Sequence, residues 1–230
     1  QIWSDTAAVT GTEKASESIG IANRLDREAH KVLQQLVIKL EAGVIHGFRI
    51  AALPTANVQP ASRMGGLDYY VRAVDTNGIT TNAAGNRLSS SGELNLKDTL
   101  DTSYNRGGKP DTIMVNTYNR REMSAMLIPF VRTDRNEGVA GVVVGQYEYS
   151  YGILNVLLNR YVRQSHVWLL TMEYIGIGPL RGNSEDRSFA WFEMPKDGDY
   201  DRRFVLGEYT AEVRNRERAH ALIYNTAVSG

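Results

Sequence analysis

The chain has 230 residues, and its 26 Lys plus Arg balance its 26 Asp plus Glu. That length builds one large domain or two small ones with real cores, and zero net charge argues against a general nucleic-acid binder or a polybasic membrane binder. The absence of cysteine excludes disulfides, thiolate metal sites and a cysteine nucleophile.

Residues 2–10 (IWSDTAAVT) read as one extended strand closed by Gly11. No neighbouring segment offers a hairpin partner, so the expected partner precedes Gln1 or belongs to another chain. The first residue is Gln, not Met, which implies that the mature chain was cut or starts elsewhere; no signal peptide is visible. From Glu13 to His46 apolar residues recur in steps of three and four: Ala22, Leu25, Ala29, Val32, Leu33, Leu36, Val37, Leu40 and Val44. That is one face of a helix, with Asn23, Arg24, Arg27, Lys31, Gln34, Gln35 and Lys39 opposite. Thr12 or Ser16 is the expected cap, and Gly43 and Gly47 set the end near His46. A helix of about thirty residues spans roughly 45 Å, a spine long enough to lie across a sheet.

Residues 48–92 are irregular, with DYYVRAV (68–74) read as a short strand and 75–86 as a turn-rich loop. A helix is expected over 94–105 with Leu96, Leu100 and Tyr104 on one face, ended by Gly107 and Gly108. Strand TIMVN (112–116) follows, then a helix capped by Asn116 or Thr117 that buries Met123, Met126 and Leu127. Residues 139–175 read as β, turning near Gly152 and Arg163, and SFAWFEM (188–194) as a further strand. Long strands close the chain from Arg203 to Tyr224. Val205, Tyr209, Ala211 and Val213 alternate there with the wetter Leu206, Glu208, Thr210 and Glu212. No apolar run approaches the roughly 18 residues that span a bilayer.

Motifs for chemistry are incomplete. Asp197, Asp199, Asp201 and Glu208 have the spacing of calcium-loop ligands, but Arg202 stands where the turn needs glycine, so a solvated acidic turn is favoured. GIGPLRG (176–182) has a late third glycine and no following helix, and GGK (107–109) lacks the rest of a phosphate loop. His30, His46, His166 and His220 fall at no metal-ligand spacing. Arg214, Arg216 and Arg218 alternate with Val213, Asn215 and Glu217, which reads as three guanidiniums on one strand face. With zero net charge, a protein interface or a solvated face is favoured over nucleic acid. The expectation is no catalysis, no cofactor and no metal.

Several blocks carry a resemblance. TGTEKASESIGIANRLDREAHKVLQQLVIKLEAGVIHG (10–47), RMGGLDYYV (63–71), GGKPDTIMVNTYNRREMSAM (107–126) and NRYVRQSHVWLLTMEYIGIGPLRG (159–182) recur in that order in a family of tailed-phage major head proteins. The closing block DGDYDRRFVLGEYTAEVRNRERAHALI (197–223), above all EYTAEVRN followed by AH, is the most specific. The chain thus resembles major capsid proteins of the Hong Kong 97-type fold. That resemblance implies an α+β chain. Residues 1–12 would be the returning strand of an extended loop, 13–92 and 197–230 the peripheral domain with the spine helix on a sheet, and 93–196 a mixed α/β axial domain. The family's amino-terminal arm and outgoing loop strand lie before Gln1, which offers a partner for the terminal strand.

The function so implied is self-assembly into hexamers and pentamers of an icosahedral head enclosing double-stranded DNA. The partners are other copies, with portal, scaffolding and decoration proteins and non-specific contact with packaged DNA, and no membrane. The place is the virion, assembled in the host cytoplasm. Ile2, Trp3, Arg214, Arg216 and Arg218 are the expected subunit-interface residues. The rivals are an encapsulin-like compartment shell, a soluble hydrolase using Glu173 or Glu193, and a double-stranded DNA-binding module using the three arginines.

Overall fold

The computed structural model describes residues 1–16, 23–50, 62–73, 78–127, 145–150, 152–181, 186–196 and 198–228. Two compact units emerge, Gln1–Gly66 with Ile177–Glu212, and Leu67–Gly176 with Val213–Gly230. These boundaries fall elsewhere than the expected ones after 92 and 196.

In the first unit β1 (Ile2–Thr10) runs into the short helix α1 (Gly11–Ala15), and the spine helix α2 covers Arg24–His46. The expected single helix from Glu13 is therefore interrupted: Ser16 ends α1 in extended backbone, and α2 has 23 residues. Ala22 lies outside the described residues. The caps also differ from Thr12 or Ser16. Thr10 Oγ1 accepts from Glu13 N at 3.3 Å, and Asn23 Oδ1 from Asp26 N at 3.3 Å. In each case a polar side chain immediately before the first turn does the capping that free amides demand. The far end matches expectation, with Gly47 N donating to Gly43 O at 2.8 Å.

The sheet of this unit contains β7 (Ile175–Pro179), β8 (Ala190–Glu193) and β9 (Tyr200–Val213) in the order β1-β9-β7, with β8 also on β9. The partner of β1 is within the chain: it pairs antiparallel with β9 along its whole length, from Ile2 opposite Glu208 to Thr10 opposite Tyr200. This corrects the expected lone strand. Period-two alternation sends Trp3, Ala7 and Val9 inward, where Trp3 packs with Leu40, Val44, Met64 and Ala211. Trp3 is thus half-buried in its own unit, not exposed, while Ile2 stays 55% exposed. A Cβ on Gly43 would meet the Trp3 ring at 2.9 Å, so glycine there lets the indole lie against the helix. From the expected α2 stripe Ala29, Leu36, Leu40 and Val44 are buried, joined by Ile45, whereas Val37 is 49% exposed. The sheet touches a narrower arc of the helix than the apolar pattern spans.

The second unit is a six-stranded mixed sheet in the order β2-β10-β6-β3-β5-β4. Its strands are β2 (Ile79–Asn82), β3 (Thr112–Val115), β4 (Gln146–Tyr149), β5 (Gly152–Leu158), β6 (His166–Leu170) and β10 (Ala221–Tyr224). β3 and β6 are buried at every position, as strands covered on both faces should be. Helices α3 (Glu93–Asn105) and α4 (Thr117–Leu127) belong to the same unit. Leu96, Leu100, Met123 and Met126 join Ile113, Val115, Leu154, Val167, Leu169 and Ile223 in one core. Asn116 Oδ1 accepts from Asn119 N at 2.9 Å and so caps α4 as expected. Tyr104 departs from its stripe at 50% exposed, and the side chain of Leu127 lies outside the described residues. Asp68–Ala73 forms a π-helical turn where a strand was expected. A short apolar run fits either state, and burial of Leu67, Asp68 and Val71 decides it.

Candidate assembly surfaces

The arginine run does not lie on a strand. β9 ends at Val213, and residues 214–220 turn through Asn215, whose φ is +49°. The three side chains therefore do not share one strand face: Arg214 and Arg218 are exposed and Arg216 half-buried. Asparagine is among the few residues that accept this left-handed backbone.

The turn is fixed from below. His220 is fully buried, its Nε2 donating to Arg214 O (3.2 Å) and its Nδ1 accepting from Thr171 N (3.4 Å). Ser103 Oγ donates to Arg218 O at 2.9 Å, and a Cβ on Gly108 would stand 1.9 Å from that same oxygen. Burial holds the His220 pKa below its usual 6.5, against the raising influence of the Arg214 carbonyl and Asp111. The neutral ring is the folded form. Stability from it is complete above about pH 6.5 and is lost as pH falls toward the folded pKa, because the unfolded chain binds the proton first. Between pH 7.5 and 5.5 the melting temperature should drop, and His220→Gln should flatten that drop. Equal slopes in both proteins would show that another group carries it.

At the first unit's turn, Asp201 is clamped between Lys14 and Lys196, the latter at 2.8 Å. Hydrogen bonds from Lys14 and then Lys196 lower its pKa to about 2. The acidic turn is thus internally neutralised. Asp197 lies outside the described residues, and among the described residues no group of three or more His, Asp or Glu is placed to hold a metal. GIGPL lies in and beside β7, a strand.

Apolar side chains are exposed on β8 of the first unit's sheet, Trp191 at 39% and Phe192 at 52%. In the second unit a groove of about 550 Å³ opens between the end of α3, the 107–111 loop, the β4–β5 region and the turn at 171–174. Tyr104, Tyr149 and Tyr174 line it beside Ile153, with Lys109, Asp111 and Glu173 at its polar positions. Sequence reading missed this groove, since Gly107 and Gly108 registered as a helix stop and an incomplete phosphate loop, and four distant segments build it. Glu173 stands exposed at a groove wall and Glu193 on exposed β8, and neither is a buried carboxylate of the kind a hydrolase needs.

The sequence profile described as SU10 major capsid protein matches residues 1–227. The chain belongs to that family. It is a major capsid protein of a phage-type shell, a structural protein and not an enzyme, which assembles with copies of itself and forms part of the virion. A sequence search of curated proteins finds no match. Solved structures agree on the fold. The capsid of cyanophage A-1(L) is similar at TM-score 0.63 and 9% identity, over 99% of this chain and 77% of the other. Mycobacterium phage Adephagia gives TM-score 0.58 at 12% identity over 100% and 73%. The encapsulin SrpI of Synechococcus elongatus PCC 7942 gives 0.59 at 11% over 100% and 75%. The capsid protein thus has the Hong Kong 97-type architecture, and its family separates it from the encapsulin that shares the fold. No described helix is long and apolar enough to cross a membrane.

Proposed function

We propose that this capsid protein builds hexamers and pentamers of an icosahedral head around double-stranded DNA, assembled in the host cytoplasm. The family match over residues 1–227 carries the reading. The first unit, with α2 laid on β1 and β9, acts as the peripheral plate, and the second unit as the axial part. β1 then serves as the root of an extended loop. One edge is paired with β9, and among the described residues no strand pairs with the other, which suits it to receive a further strand or a neighbouring copy. Identical copies close a shell through many moderate contacts repeated by symmetry. Portal, scaffolding and decoration proteins are the further partners, and packaged DNA is touched without sequence preference.

Of the expected interface residues, Ile2 and the 214–218 turn remain candidates, whereas Trp3 serves the intrachain core. Negative-stain microscopy of the purified chain should show closed shells. Arg216→Glu should leave a folded, soluble subunit whose yield of shells drops at least severalfold. Normal shells that package less DNA would move the turn to the inner surface and sink the interface assignment.

A further inference from the structure

We propose that the tyrosine-lined groove of the second unit is a docking site between copies, and that it receives the Arg218 side chain of a second copy. The inference rests on the shell reading above and specifies one of its contacts. Tyr104 and Ile153 leave the groove's apolar wall open, at 50% and 58% exposed. Its charged lining is Asp111, which accepts from Met172 N at 3.2 Å, and the exposed Glu173 against Lys109, an excess of negative charge in which Glu173 is the open carboxylate. The C-terminal end of α3, at Tyr104 and Asn105, adds the partial negative charge of a helix terminus. Aromatic faces beside carboxylates suit a planar guanidinium, which stacks and forms forked hydrogen bonds where an ammonium does not. The chain makes this contact elsewhere: Arg202 lies 4.0 Å from the Tyr200 ring centroid and Arg72 5.2 Å from that of Tyr224.

Arg218 is the matching cation. Its side chain is exposed, and its carbonyl is held by Ser103 on α3 and pressed against Gly108, a residue of the groove itself. Arginine and groove therefore keep a constant spacing in every copy. In a ring of copies each groove takes the arginine of one neighbour, while its own arginine enters the groove of the other.

The test uses the full chain, comparing Glu173→Arg, Arg218→Glu and the double variant by sedimentation velocity and negative-stain microscopy, with circular dichroism to verify folding. Each single reversal should weaken association of unassembled subunits by about tenfold or more, and the double variant should recover most of it. Tyr104→Ala, which leaves Arg218 untouched, should weaken it as well and decides the matter if a reversal fails to fold. Singles that associate like the native chain, or a double variant no better than its worse parent, overturn the groove contact. Native chains that pair through the groove yet never close shells would instead sink the shell reading and leave the groove standing.

Discussion

Removal of residues 1–10 should unfold the first unit, not merely stop assembly. β1 contributes the whole nine-residue ladder with β9 and buries Ala7 and Val9, with Trp3 packed beneath α2. Burial of the valine alone contributes about 1.5–3 kcal/mol. Together with Trp3 and the exposed edge left on β9, the loss reaches about 5 kcal/mol or more, against roughly 5–15 for a whole domain. Hydrogen exchange should show protection vanishing from Arg24–His46 and from the β9 residues opposite β1. The core of the second unit draws nothing from residues 1–10, so Thr112–Val115 and His166–Leu170 should keep theirs. A truncated chain that retains protection across α2 would show that β1 is an accessory strand.

The second large effect belongs to Leu36. It is fully buried in the middle of α2, one turn from Leu40 and from half-buried Leu33. Leu36→Ala should cost about 2–5 kcal/mol, the lost transfer of the side chain plus the cavity it leaves. Lys39 on the exposed side pairs with Asp5 at 3.1 Å, with its side chain 53% accessible. Such a surface pair contributes about 0–1 kcal/mol. Lys39→Ala should therefore move the melting temperature far less. Equal shifts would mean that the buried face of α2 is misassigned.

The spine helix, α3, α4 and the β-rich closing third were legible in the sequence, because each carries a local period that forces its own state. Leu36, Leu40 and Val44 recur at steps of four, and Val205 and Ala211 fall on one side of β9, before anything else of the chain is known. Zero net charge and the absent cysteines likewise bounded the chemistry without a fold. The family blocks added the capsid assignment. What local pattern does not encode is which distant segments meet. The partner of β1 stands nearly two hundred residues away, and no turn announces it. Long-range pairing is decided by which faces bury together, as Trp3 of β1 and Ala211 of β9 do against Leu40 and Val44 of α2. The same holds for Asp68–Ala73, where burial selected a helical turn over a strand, and for the arginine run, where Asn215 bends a sequence that alternates like a strand. His220 shows the limit most clearly. Its spacing says nothing, and only the fold surrounds it with Thr171 and the Arg214 carbonyl so that one neutral tautomer holds an exposed turn in place.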